Sequence, residues 1–326
     1  MKLTTVDLFA GGGGLTLGFM SAGYDIVAAF DNWDPAIFLY KSNFHQHPFI
    51  KCDLSILAAI KSIKRYSPNI IIGGPPCQDF SPAGKRDESL GRADLTISYA
   101  SIINKVRPRY FIMENVERTA KSSAFKKAKD IFIKSNYGLS VRVLDACLCG
   151  APQLRKRLFV VGELNGADGF LDKLLDDNLA AKPMTIREYF GDRLGVEHYY
   201  RHPRTYARRG IFSVDEPSPT VRGVNRPIPA GYSGHPGDTA PVTRKVRPLT
   251  TKERSMIQTF PESFVLCGNK TETEQIIGNA VPVKLAEYVA KRLLEYLIGS
   301  GITKPAEVAK KPIRFPEPPQ KELRLA

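Results

Sequence analysis

Seven short apolar runs in the first 165 residues constrain the fold more than any other feature of this chain. They are Leu3–Phe9, Asp25–Asp31, Phe49–Leu54, Asn69–Gly73, Tyr110–Glu114, Leu139–Asp145 and Arg157–Gly162. Between the first six lie longer amphipathic stretches, Gly14–Ala22, Pro35–Phe44, Ser55–Tyr66, Leu95–Val106 and Ser122–Ser135. Strand-type runs alternating with helix-type stretches predict βαβ units around a mostly parallel sheet. The run Asn69-Ile70-Ile71-Ile72 is apolar after its first residue, as expected of a strand with helices on both faces.

The character changes after about Gly166. Tyr199 to Arg247 holds nine Lys/Arg against three Asp/Glu, and twelve Gly or Pro, with little periodicity. This predicts a small, irregular, basic second domain. Tyr199, Tyr200, Tyr206, Ile211, Phe212, Val221 and Ile228 are its candidate core. Order returns near Leu249. Thr250 with Glu253 three residues on forms a capping box for a helix over Thr250–Thr259. A helix over about Pro282–Leu297 carries Val283, Ala286, Val289, Ala290, Leu293, Leu294 and Leu297 on one stripe. The expected division is 1–165 plus 265–300 for the sheet domain, 166–264 for the second domain, and 301–326 for a proline-rich tail.

A length of 326 residues suits one large domain and a smaller one. No apolar run reaches the roughly 18–20 residues of a membrane span. An acid at Asp7 interrupts the place where a signal peptide has its apolar stretch. Five scattered cysteines read as a reduced set and not as a disulfide framework, which fits a cytoplasmic protein. The net charge of +14 suits a polyanionic partner without identifying one.

Six segments carry candidate chemistry. The turn Phe9-Ala10-Gly11-Gly12-Gly13-Gly14 follows the first strand and lets the backbone approach a ligand. It departs from the G-x-G-x-x-G dinucleotide pattern, because Thr16 stands at the third glycine. The second strand ends in Asp31-Asn32-Trp33, where an acid can meet ribose hydroxyls and an indole can either stack on an adenine or simply pack. Asp53 follows the third strand as a second cofactor candidate. Gly74-Pro75-Pro76-Cys77-Gln78 places a thiol, stiffened by two prolines, at the carboxyl end of a central strand, where open α/β sheets bind ligands. Glu114 ends another strand at the same edge. Arg155 and Arg157 share one side of an extended segment and suit a carboxylate or a phosphate, or else form a solvated basic stretch. Cys147 and Cys149 lack a second pair and read as packing residues, so no metal is expected.

Taken in order, these segments resemble the DNA (cytosine-5) methyltransferase family. The match extends through Glu114-Asn115-Val116, Gln153-Leu154-Arg155-Lys156-Arg157, Arg247-Pro248-Leu249-Thr250 with Gln258-Thr259-Phe260-Pro261, and Ile277-Gly278-Asn279-Ala280-Val281-Pro282. The resemblance implies a doubly wound, Rossmann-like fold that takes S-adenosylmethionine as cofactor and releases S-adenosylhomocysteine, with the variable region as target-recognition domain. It implies Cys77 as the nucleophile toward carbon 6 of a flipped-out cytosine, and Glu114 as a protonated partner of ring N3. Arg155 would support the base from its carbonyl side, and Arg157 would hold the active-site groups. Phe9, Gly11, Gly13, Trp33, Asp53, Leu54, Pro75, Leu95, Asn279 and Val281 would form the cofactor site. The family commonly has Glu where Asn32 stands, so the ribose contact lies between Asp31 and Asn32. Asp31 is favoured, because a carboxylate accepts from two hydroxyls. Double-stranded DNA would meet Gln78, Ser81, Lys85, Arg86, Thr220, Arg222 and Arg226.

The resemblance further implies a stand-alone bacterial modification enzyme paired with a restriction endonuclease, and a monomer is expected. An RNA cytosine methyltransferase with the same core is the alternative, disfavoured by Gln78 directly after Cys77. A catalytically dead DNA-binding regulator would lack Cys77, Glu114 or Arg155, and all three are present.

Overall fold

The computed structural model describes residues 3–55, 58–76, 95–205 and 207–304. Its centre is a seven-stranded sheet of β1 (Thr4–Leu8), β2 (Asp25–Asp31), β3 (Phe49–Lys51), β4 (Ile70–Gly73), β5 (Tyr110–Val116), β6 (Tyr137–Asp145) and β8 (Lys156–Leu164). The strands run in the order β3-β2-β1-β4-β5-β8-β6. Pairings from β3 through β5 are parallel, and β8 pairs antiparallel with both β5 and β6. The mostly parallel sheet expected from the alternation is therefore present. The chain winds outward from β1 to β3, then restarts on the other side at β4. This reversal sets Leu8 beside Gly73, so the segments after β1 and β4 diverge from one crevice.

Helices cover both faces. On one side lie α1 (Gly14–Ser21) and α10 (Val283–Gly299). On the other lie α3 (Ala58–Lys64), α4 (Leu95–Val106) and α5 (Ser123–Lys134), while α2 (Asp34–Lys41) flanks the β2 end. Side chains of β4 alternate between the faces: Ile70 and Ile72 pack into the α1/α10 core, Ile71 into the α4/α5 core, all without exposure. Each such isoleucine contributes roughly 1.5–3 kcal/mol of burial free energy. The expected stripe of α10 is buried at Val283, Ala286, Val289, Ala290, Leu293 and Leu297, with Leu294 partly covered.

Strand β3 is shorter than the predicted run to Leu54. Cys52–Leu54 leave the ladder and turn toward the crevice, where all three line its wall. Residues just past 165 remain with the sheet: Leu171 and Leu175, at α6 (Asp172–Asp177), pack in the core with Leu285 and Val289. A boundary drawn at 165 therefore cuts through one packed cluster.

The basic region is built on α7 (Ile186–Phe190) and a three-stranded sheet of β9 (His198–Tyr200), β10 (Ile211–Ser213) and β12 (Arg247–Pro248). Tyr199, Tyr200, Ile211, Phe212 and Val221 are buried there, and Ile228 is partly buried, while Tyr206 lies outside the described residues. The short strands β7 (Gln153–Leu154) and β11 (Ser218–Pro219) pair in parallel and fasten this region to the sheet. The predicted capping box opens α8 (Thr251–Ile257): Thr250 Oγ1 accepts from Glu253 N at 3.2 Å, and Glu253 Oε2 accepts from Thr250 N at 2.7 Å. The following α9 (Lys270–Asn279) leads back to the crevice. Among the described residues no helix is long and apolar enough to cross a membrane.

Candidate active site

The crevice above β1 and β4 is a cleft of about 560 Å³. One end is made by the glycine turn. Gly11 adopts φ +52, and a Cβ there would meet no protein atom, so its free side faces open space. Asp31 shapes this turn. Its Oδ2 accepts from Gly11 N at 2.9 Å, and its Oδ1 accepts from the amides of Asn32 at 2.7 Å and Trp33 at 3.0 Å. Three backbone donors occupy most of that carboxylate, whereas the exposed Asn32 side chain lines the cleft directly. Phe9, Gly11, Asp31, Trp33, Asp53, Leu54, Pro75, Leu95, Asn279 and Val281 all line the same space.

Gly13 does not line this cleft. At φ +85 it closes the turn, and a Cβ would lie 2.4 Å from the Phe44 ring. Gly12 and Gly14 line the cleft in its place. Gly13 was expected from the family resemblance; the fold turns it toward Phe44.

Thr16, the departure from the dinucleotide pattern, has a buried role. Its hydroxyl donates to Asp7 Oδ2 at 2.6 Å and meets Tyr40 OH at 2.9 Å. Burial pushes the Asp7 carboxyl up to about 7, with the nearby Asp31 charge adding to the effect.

The opposite end holds the ionisable groups. In the antiparallel β5–β8 register Val116 faces Arg157. Glu114 lies two residues back on the same face, so Arg157 reaches it diagonally. Arg157 Nε is 2.9 Å from Glu114 Oε1, with both side chains largely buried. Burial raises the Glu114 carboxyl above the ordinary glutamate range, and the guanidiniums of Arg157 and Arg155 only partly oppose it. Gly74 permits this placement, since a Cβ there would stand 3.0 Å from Glu114 Oε2. Asn115 Nδ2 donates to Pro75 O at 2.9 Å and fixes the prolyl segment that leads to residue 77. No function was assigned to Asn115 from sequence, although its place between Glu114 and Val116 was the available signal.

Arg155 is 1 % exposed. Its guanidinium donates to Val221 O, Gly278 O and Ala280 O, each at 2.9 Å. Arg157 thus holds an active-site carboxyl, as expected, while the Arg155 guanidinium in this structure ties its own segment to Val221 and to Gly278–Ala280. Gln153 and Gln258 extend the tie. Gln153 Oε1 accepts from Val221 N at 2.9 Å, Gln153 Nε2 donates to Gln258 Oε1 at 2.7 Å, and Gln258 Nε2 donates to Ile277 O at 2.6 Å. Thr220 Oγ1 donates to Leu154 O at 2.7 Å, Arg222 donates to His202 O, and Arg226 is exposed. Cys77, Gln78, Ser81, Lys85 and Arg86 lie outside the described residues. Cys147 and Cys149 are buried thiols, and burial pushes each up to about 12.

A mostly parallel sheet whose switch-point cleft joins an open glycine turn to a buried carboxyl–guanidinium pair is the arrangement of an α/β enzyme that binds its ligand at the carboxyl ends of the strands. The fold agrees with that of the Dnmt2 methyltransferase of S. pombe at a TM-score of 0.67, covering 91% of this chain and 99% of that one at 19% identity. Residues 3–295 match the family model of C-5 cytosine-specific DNA methylase. The chain is 56% identical over 293 residues to the Type II methyltransferase M.HindV of Haemophilus influenzae, covering 89% of this chain and 96% of that protein. It is 57% identical over 296 residues to the Type II methyltransferase M.HgiDI of Herpetosiphon aurantiacus, covering 90% and 95%. The chain belongs to the C-5 cytosine-specific DNA methylase family and is a DNA (cytosine-5) methyltransferase.

Proposed function

We propose that this enzyme methylates carbon 5 of a cytosine flipped out of a specific duplex sequence, with S-adenosylmethionine as methyl donor and Cys77 as nucleophile. The observation that carries this reading is the buried Glu114–Arg157 pair, in the same cleft as the Pro75–Pro76 approach to Cys77 and the open turn at Gly11. The cradle at Gly11, the indole of Trp33 and the polar edge of Asn32 and Asp53 fit an adenosyl group. When bound, that cofactor supplies an electrophilic methyl on a sulfonium.

The remaining chemistry belongs to this chain. The Cys77 thiolate forms a bond to carbon 6, which makes carbon 5 nucleophilic. Glu114, kept protonated more readily by its burial, donates to ring N3 and neutralises charge developing on the ring. Arg157 orients Glu114 and faces the base carbonyl, and Arg155 holds the cleft wall. After carbon 5 accepts the methyl, a base removes its proton and the Cys77 sulfur departs. Such atoms are unreachable inside a stacked duplex, which requires flipping. Asn32 addresses the ribose while Asp31 holds the turn. Gln78, Ser81, Lys85, Arg86, Thr220, Arg222 and Arg226 meet the DNA.

The sheet with residues 265–300 acts as catalytic unit, and the basic region centred on β9 and β10 as recognition unit. The Type II names of M.HindV and M.HgiDI support a modification enzyme; protection of DNA from a partner restriction endonuclease, a monomeric state and a place in the bacterial cytoplasm are part of the same proposal. Tritiated methyl transfer to mixed-sequence duplex DNA tests the reading, with transfer RNA in parallel. Label recovered as 5-methylcytosine in DNA, and lost with Cys77→Ala, is the expected result. Label in RNA alone, or equal labelling of DNA by Cys77→Ala, refutes the substrate or the nucleophile.

A further inference from the structure

The arginines of the recognition region fall into two sets with different surroundings. Arg201 and Arg222 cross-lace two loops. Arg201 Nη2 donates to Thr220 O at 2.7 Å, and Arg222 Nη2 donates to His202 O. Both side chains are half-buried and line one concavity together with Arg254. Arg204, Arg208 and Arg226 stand around them, exposed, with no side-chain hydrogen bond or ion pair among the described residues. Among the described residues, Arg254 alone of these six cations has an acid partner, Glu274. Burial, reinforced by the neighbouring guanidiniums, depresses Arg201 to about 10 and lowers Arg222.

Holding Arg201 and Arg222 half-buried beside like charges, with no carboxylate, is unfavourable for the free protein. Their carbonyl anchors fix each guanidinium plane in advance. A fixed fork suits the paired O6 and N7 acceptors of guanine in the major groove, whereas a mobile exposed arginine suits a phosphate. Position agrees with this division. Arg222 directly follows Val221, whose carbonyl is held by Arg155 at the wall of the active cleft. A reader at that point stands next to the flipped base, and phosphates lie farther out, around the rim.

The geometry points to Arg201 and Arg222 as the residues that read guanine edges beside the target cytosine, and to Arg204, Arg208 and Arg226 as sequence-independent phosphate contacts. This assignment rests on the DNA-methylating reading above.

The test uses the full chain, a randomised duplex library and bisulfite sequencing of the methylated product. Arg201→Lys and Arg222→Lys keep the charge but lose the fork. Each is expected to flatten preference at one guanine position, on the order of 10- to 100-fold, whatever its effect on the overall rate. Arg204→Ala, Arg208→Ala and Arg226→Ala are expected to weaken binding to all duplexes alike, each lowering the slope of log affinity against log salt by about one. A measurement on the unaltered enzyme guards against misfolded variants: replacing guanines of the wild-type site one at a time by 7-deazaguanine removes the N7 acceptor. Slower methylation at two of these positions supports the assignment. An unchanged consensus with both lysine variants, or indifference to every 7-deazaguanine, overturns it alone. Failure of the wild-type enzyme to methylate any duplex overturns the function on which it rests.

Discussion

Arg157 Nε lies 2.9 Å from Glu114 Oε1, and the pair is set by strand register and not by sequence neighbourhood. Burial dominates at Glu114 and favours its neutral form. Glu114→Gln keeps the shape and fixes neutrality but removes the carboxyl that Arg157 faces. Methyl transfer is expected to fall on the order of 100-fold or more. The native rate should also decline as pH rises through the elevated Glu114 pKa, because the donating proton is lost. Rate–pH profiles check both: the Gln variant lacks that decline, and an identical profile in the two proteins would contradict the role.

Arg155 serves three carbonyls across 66, 123 and 125 residues of sequence separation. Arg155→Met strands the Val221 and Gly278 carbonyls in a dry interior and leaves Ala280 O only its bond from Gln258 Nε2 at 3.0 Å. The expected cost is about 3 kcal/mol or more, seen as a lower midpoint in urea. Arg157→Met removes the partner of Glu114 in the cleft wall and should reduce turnover far more than stability. Equal destabilisation by the two variants would remove the distinction.

Asp7 gives a pH signature of its own. Its folded pKa, about 7, is above the ordinary value of 3.8. The favourable contribution is therefore complete below about 3.8 and fades as pH rises toward 7, by up to about 4 kcal/mol. Asp7→Asn stays neutral throughout. The stability of the variant relative to the native protein should rise between pH 5 and pH 8 in denaturant titrations. A pH-independent difference would show that Asp7 is not buried as described.

Two glycines of one turn should fail differently. A Cβ at Gly14 would stand 2.3 Å from Val281 O, which is backbone and cannot swing aside, so Gly14→Ala is expected to cost about 2 kcal/mol in stability. At Gly11 a Cβ meets no atom and the penalty is the left-handed conformation, about 1–2 kcal/mol. Its methyl, however, enters the cleft. Calorimetry with S-adenosylhomocysteine should show Gly11→Ala losing affinity out of proportion to its drop in Tm.

Much of this arrangement was legible in the chain. The fully apolar run at Ile70–Ile72 announced a central strand covered on both faces, and Thr250 with Glu253 announced a helix start, because both depend on a few consecutive residues. Glu114 at a strand end was legible for the same reason. The separate tasks of Arg155 and Arg157 were not. Period-two alternation puts both on one side of an extended segment, yet Arg155 precedes β8 and turns into a junction of distant loops. The packing of Gly13 on Phe44 and the bonds of Asp31 to amides of the turn it shapes were hidden likewise.

The sequence by itself determined the alternating elements, the sheet edge where Pro75, Pro76 and Glu114 emerge, and the family, because propensity, periodicity and motif order are local properties. Tertiary structure decided which guanidinium meets the carboxyl, which glycine faces the cleft, and which arginines are pinned by carbonyls. Those outcomes depend on register and on contacts such as Gln153 with Gln258, 105 residues apart, and no local pattern encodes a distance of that kind.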